Sequence, residues 1–396
     1  MQILMIKYLI NKPLLRKGDG YFPSMNLADR YFKLLITSFF PFFLLLLFPD
    51  LNYSQSTVSD EKVISGRVID KISGEALEDV NVYLSYTTKG IATDEYGQFS
   101  FGTTLTGQFE LVFSIIGYES QKRIVTLGDG TDHLIFEVEL IKKPIRLTEL
   151  EVRADNSDWI RNFDDFSRQF LGETYNASET EIENRWVFNF DRNEDGDLIA
   201  TADGPIRILN HALGYELLVD LTDFSWNVSE GSGYYLVQIR FKEMEPESGQ
   251  EFRSWVRNRE QAYNGSFRHF LKSLYDDRLA RNRFEVVWMD TNQRGRIQPI
   301  DQSQLDQSLR FHGLNPGLAS QGVKGYLLRE PVDILIGRRN VLVDNRKRAR
   351  LVPMRDDNIF FIMPDGNLAD LLAVAIAGYW STYRIADMVP IDYEPG

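Results

Sequence analysis

The sequence predicts an all-β sandwich followed by an α+β domain. Three observations lead there. Several stretches between residues 62 and 141 alternate apolar and polar side chains, as a half-buried strand requires. The breaks between them carry Gly, Asp and Ser in turn positions. Past residue 155 the pattern changes, with helix-spaced aromatics first and mixed strand-like and helix-like runs after.

Residues ahead of the sandwich read as an export leader. Residues 34–48 form a mostly apolar run preceded by Arg30 and Lys33. That length suits a signal-peptide core and is short for a membrane span. Small residues follow at Ser54 and Ser56, so cleavage is expected between Ser54 and Thr57. Residues 1–24 fit badly before such a leader and are expected to be untranslated or disordered. Met25 is the better initiator, with 25–56 as the signal peptide and no membrane span in the mature chain. Cysteine is absent, which excludes disulfides, a thiolate metal site and lipoprotein attachment.

Within 62–141, Val80, Val82 and Leu84 alternate with Asn81 and Tyr83. Phe109, Leu111, Phe113 and Ile115 alternate with Glu110, Val112 and Ser114, and Leu134, Phe136, Val138 and Leu140 do the same near the end. Ser73, Gly74 and Glu75 break the first two strands. Asp94 to Gly97 fits a type I turn, and Gly107 and Gly117 bound the fifth strand. About seven short strands punctuated this way argue for an antiparallel sandwich.

These residues resemble a known family. Ile64 to Asp70, Gly74 to Leu77, Val80 to Val82, Gly90, Thr93-Asp94, Gly97 to Phe99 and Ile116 to Tyr118 look like the carboxypeptidase-regulatory-like domain. The resemblance implies a seven-stranded transthyretin-like sandwich, grouped with immunoglobulin-like and carbohydrate-binding-like folds. In Bacteroidetes-type bacteria that domain precedes many exported proteins. It carries no catalytic residues, so the resemblance does not imply peptidase activity.

Residues 142–154 are expected to be a linker, with a short strand at 147–152 and a boundary near Ala154. In 155–396, Trp159, Phe163, Phe166 and Phe170 define one helix face, with Asn156 or Ser157 as its cap and Gly172 as its end. Runs 185–190 and 198–202 read as a hairpin, and 215–224 and 234–241 as longer strands. Runs 252–263 and 267–280 read as helices broken at Gly265, with Ser266 as N-cap. Runs 284–288, 332–336 and 341–343 read as strands, and the apolar run 368–377 as a buried helix. Segments including Leu213 to Tyr215, Ala262 to Ser266 and Tyr379 to Ser381 resemble an uncharacterised domain that follows this sandwich in Bacteroidetes-type proteins. That resemblance implies location and domain order, and no chemistry.

Composition bounds function. Hydrophobic residues make up 43% of the chain and charged residues 26%, as in a folded protein. A net charge of −13 argues against a nucleic-acid binder. The residues three beyond His133, His211, His269 and His312 are Phe136, Gly214, Lys272 and Asn315, so the zinc-carboxypeptidase ligand motif is missing. No cofactor motif is present. Trp255, Arg259 and Tyr263 share a helix face, and with His269 nearby they can form an anion or sugar site, or simply pack and pair. Ser266 with His269 is ordinary cap spacing. Asp191, Asn193, Asp195 and Asp197, with Gly196, resemble half a calcium loop, but Ala202 stands where a bidentate Glu belongs, and a polar hairpin turn is the better reading. Phe224, Trp226, Tyr234 and Tyr235 are a candidate aromatic platform or core. The basic residues Arg338, Arg339, Arg346, Lys347, Arg348 and Arg350 can meet lipid phosphate or acidic glycan, or form a solvated hairpin. The expectation is an exported, non-catalytic protein of the periplasm or outer-membrane surface, meeting an envelope protein or glycan. A carbohydrate-binding protein and a hydrolase using Arg259, Tyr263 and His269 with Asp276 or Asp387 are the alternatives.

Overall fold

The computed structural model describes residues 61–128, 133–143, 157–227, 229, 231–289, 297–299, 322–338, 345–370 and 373–395. The leader, Met25, the cleavage site, the 147–152 strand, the boundary at Ala154, Asn156, His312 and the 341–343 strand lie outside the described residues.

Seven strands build the first region: β1 (Lys62–Asp70), β2 (Asn81–Leu84), β3 (Gly90–Ala92), β4 (Gln98–Thr103), β5 (Gly107–Ser114), β6 (Gln121–Leu127) and β7 (His133–Leu140). They form a three-stranded sheet, β4-β1-β7, and a four-stranded sheet, β3-β2-β5-β6. Ile64, Val82, Leu111, Phe113 and Val138 are buried in the shared core. The expected turn is present: the Gly97 amide donates to Asp94 O at 2.8 Å, and the Asp94 carboxylate accepts from the amides of Tyr96 and Gln98. Gly97 sits at φ +71°, where a side chain would be strained. One pairing departs from the antiparallel expectation. β1 and β7 run parallel, from Val63 opposite His133 to Asp70 opposite Leu140. Alternation reports which face is buried; it carries no information on strand direction.

α1 (Ser157–Leu171) follows, then the short α2 (Tyr175–Ser178) and strands β8 (Thr180–Ile182), β9 (Phe188–Arg192), β10 (Leu198–Ala202), β11 (Ile206–Asn210), β12 (Tyr215–Asn227) and β13 (Ser232–Glu243). These strands form a six-stranded sheet in the order β8-β11-β12-β10-β9, with β13 on β12. The predicted helix face is the buried one. Phe166 and Phe170 are fully buried, and Phe166 packs on Phe188 and Phe224 with ring centroids 4.7 and 4.8 Å away. Gly172, at φ +100°, ends the helix.

α3 (Gly249–Tyr263) and α4 (Phe267–Tyr275) lead to strands β14 (Phe284–Met289), β15 (Ile297–Pro299), β16 (Lys324–Leu327), β17 (Val332–Ile336), β18 (Lys347–Pro353), β19 (Ile359–Ile362) and β20 (Val374–Gly378). A five-stranded sheet, β15-β14-β17-β18-β20, and a β16-β19 pair surround a second core. Phe270, Leu274, Ile334, Leu351 and Trp380 lie in it. The expected helix over 368–377 is corrected here. Val374–Gly378 is a strand antiparallel to β18, from Pro353 opposite Val374 to Ala349 opposite Gly378. A short apolar run buried on both faces has no periodicity to separate helix from strand. Of the basic residues, Lys347, Arg348 and Arg350 lie on β18 of the same sheet, and Arg339 lies outside the described residues. Arg350 donates to the buried Asp333 at 2.6 Å, and Lys347 reaches the Tyr379 hydroxyl.

The described residues form one compact unit. The outer face of β2 and β5 lies against β12 and β13, which explains why Tyr83, Val112 and Ser114 are fully buried on the face that alternation marked as wetter. Asp220 of β12 is the centre of this joint. Its carboxylate accepts from the hydroxyls of Tyr83 at 2.5 Å, Ser120 at 2.8 Å and Ser114. Arg240 of β13 donates to Gly90 O at 2.8 Å and to Asn81 Oδ1 at 3.3 Å. The Tyr86 amide donates to Ile239 O, and the Phe241 amide to Thr87 O. Most of the polar groups named in this seam are paired, which offsets the cost of burying them, while Arg240 Nε is left without a partner.

Candidate functional site

α3 carries the residues singled out from sequence. Its Trp255 is buried and donates from Nε1 to His211 O at 2.8 Å. Asn258 donates to Ala212 O at 2.8 Å. Every guanidinium nitrogen of Arg259 is committed: Nε to Leu213 O at 2.6 Å, Nη2 to Gly214 O at 3.0 Å and Nη1 to Glu243 at 2.8 Å. The guanidinium also lies 3.9 Å from the Tyr215 ring centroid. Together these side chains clamp the turn between β11 and β12. That turn approaches so closely that a Cβ on Gly214 would stand 2.2 Å from the Trp255 ring. Tyr263 is buried, and its ring tilts over His269 with centroids 4.9 Å apart. His269 Nδ1 accepts from the Gly265 amide at 3.0 Å, and burial pulls its pKa down to about 4. The imidazole is therefore a neutral acceptor held by backbone. Ser266 caps α4 by accepting from the His269 amide.

The two carboxylates named with that cluster have partners of their own. Asp276 pairs with Lys272 at 2.9 Å. Asp387 accepts through Oδ1 from Thr174 at 2.8 Å and Asn176 at 2.9 Å, and burial pushes its carboxyl above the usual range. The polar turn at 191–197 is knitted by Asn193, whose side chain accepts from the amides of Asp195 and Asp197. The Asp197 carboxylate takes amide donors from Asn193 and Asn227. Among the described residues, no group of three His, Asp or Glu is placed to hold a metal ion. Of the aromatic set, Phe224 and Tyr235 are buried in the sheet's core, with Trp226 packed beside it.

A pocket of about 580 Å³ lies at the seam between the sandwich and the later chain. Its walls come from residues 85–86, Phe109 and Ile124 of the sandwich, the start of α4, the loop after β19, and the tail around 387–391. Four side-chain atoms in these wall residues are buried without a hydrogen-bond partner: Ser85 Oγ, Arg268 Nε, Asn367 Nδ2 and Asp387 Oδ2. Of this set the sequence singled out Asp387 alone, as a candidate catalytic carboxylate. The residues come from positions 85 to 387, and no local spacing joins them.

Two facing sheets of three and four strands, with a shared aliphatic core, define a transthyretin-like sandwich module. It is a CarboxypepD_reg-like domain, whose family model matches residues 64–152. A comparison with curated proteins finds no match. Among solved structures, the group B streptococcus pilus 2b backbone protein shares 19% identity over 23% of this chain and 43% of its own, with a TM-score of 0.18. The present chain thus spans less than half of that protein. A DUF3823 family protein from Bacteroides ovatus shares 11% identity over 47% of this chain and 82% of its own, with a TM-score of 0.17. A Bacteroides uniformis protein described as a candidate carbohydrate binder shares 7% identity over 76% and 98%, also with a TM-score of 0.17. Among the described residues, no helix is long and apolar enough to cross a membrane.

Proposed function

We propose that this chain is an exported, non-catalytic protein of the cell envelope, and that the pocket at the seam is its ligand site. Export is supported by the basic-flanked apolar run at 34–48 and by the company that CarboxypepD_reg-like domains keep. The single observation that carries the binding reading is a contrast between two sets of groups. Arg259, Tyr263 and His269 are held by the fold, whereas four buried polar atoms at the pocket wall have no partner. Buried polar atoms are normally satisfied, so unpartnered ones in residues that line a cavity point to a place for something else to bind. The sandwich then serves as one wall of the site and as a fixed spacer, because its β2–β5 face is already covered by β12 and β13.

Protein recovered from envelope fractions and examined by native mass spectrometry should carry a bound small molecule. Ala369→Trp, at an exposed wall residue, should reduce it. Recovery in the cytosol with its leader intact, or a bare protein from the envelope, would overturn the proposal.

A further inference from the structure

Building on that reading of the pocket, we infer that the ligand is an uncharged, largely hydrocarbon molecule bearing one or two hydrogen-bonding oxygens, rather than a sugar or an anion. Wall chemistry sets the body of the ligand. Phe109, Phe267, Leu271, Val374, Ile376 and Trp380 line the cavity, and apolar surface is matched by hydrocarbon. A volume of about 580 Å³ falls in the range of small-molecule sites, roughly 300–1,000 Å³.

The polar atoms set the head. Arg268 Nε and Asn367 Nδ2 are donors without acceptors, while Ser85 Oγ and Asp387 Oδ2 lack a partner of any kind. Ser85 and Asp387 are each only 5% exposed. Ser85, Arg268, Asn367 and Asp387 all contribute to the lining of the cavity. One hydroxyl or carbonyl oxygen can satisfy a donor, and a hydroxyl can also give its proton to the Asp387 or Ser85 oxygen. A saccharide would set many of its hydroxyls against the apolar side chains of this wall, where unpaired ones are costly to bury. It would also need an open aromatic face. Trp380 is 1% exposed, and its Nε1 is already given to Gly265 O at 2.9 Å.

Charge argues against an ion of either sign. Glu110, Asp365, Asp370 and Asp387 line the cavity against a single guanidinium, Arg268. Arg268 already donates from its two Nη atoms to the carbonyls of Pro390 and Ile391. An anion would meet more carboxylates than cations at low dielectric. A cation would meet Arg268, and Asp370 is drawn away by Arg355 at 2.9 Å.

The test uses the full chain and the neutral dye N-phenyl-1-naphthylamine at neutral pH. Its fluorescence should rise on binding. 1-Decanol should displace it at a concentration about tenfold lower than decanoate or decylamine, a ratio that reflects the cost of burying an ion. Maltohexaose should leave the signal unchanged. Ala369→Trp and Ile124→Trp, both at exposed wall positions, should weaken dye binding about tenfold or more with the melting temperature preserved. Displacement by maltohexaose, or by either ion as well as by decanol, would overturn the ligand class while leaving the site in place. A wild-type chain that binds neither dye nor any probe would overturn the site itself.

Discussion

Asp220→Ala should cost about 3–5 kcal/mol of stability, because it leaves three hydroxyl donors in a buried seam without their acceptor, at roughly 1–3 kcal/mol each. The carboxylate takes three hydroxyl donors, from Tyr83, Ser114 and Ser120. Tyr83 and Ser114 are fully buried, so water cannot replace what is lost. Hydrogen bonds to a charged group contribute roughly 1.5–3 kcal/mol each. Their sum exceeds the expected loss because the carboxylate's own desolvation is relieved when it is removed. Urea unfolding followed by circular dichroism measures the change. A double-mutant cycle with Tyr83→Phe should show coupling of about 1 kcal/mol or more. A loss below about 1 kcal/mol, or additive single effects, would refute the view that Asp220 holds the sandwich to its neighbour.

Phe166→Ala should cost about 3–5 kcal/mol in the same assay, because its fully buried ring packs on four other aromatics and its loss leaves a cavity. Gly214→Ala combines a φ of +67° with a clash against Trp255, and should lower stability by about 2–4 kcal/mol, read as an earlier urea midpoint. His269 has a folded pKa of about 4, below its unfolded value of about 6.5. Its contribution is therefore complete above about pH 6.5 and is lost as pH falls toward 4, where the unfolded chain binds the extra proton. His269→Gln should flatten the stability profile between those two pH values, as followed by thermal melts.

Much of the fold was legible where one face is buried by its own module. The spacing of Trp159, Phe163, Phe166 and Phe170 identified the helix and its inward face, because the face packs on strands close behind it in sequence. The Asp94–Gly97 turn was legible from side-chain chemistry alone. Tyr83 and Ser114 were misread as the wetter side of their strands, since what covers them lies more than a hundred residues later. The strand at Val374–Gly378 defeated periodicity because Val374, Ala375 and Ile376 are buried in succession, on both faces. The Arg259 group was visible as a cluster, but whether a guanidinium faces a ligand or a turn depends on carbonyls at 213 and 214. The pocket had no local signal at all.

The tail closes back on the sandwich across nearly the whole chain. The Thr88 amide donates to the Asp392 carboxylate at 3.0 Å over a separation of 304 residues, and the Ile391 amide donates to Tyr86 O at 2.7 Å. Synthesis delivers the sandwich first and these two contacts about 300 residues later. Such long-range closures slow folding, because loop entropy is lost before the contact forms. The segment at Tyr86–Thr88 must therefore wait for residues 391–392 before these contacts close, and any helper that shields exposed surface during that interval would find its target there.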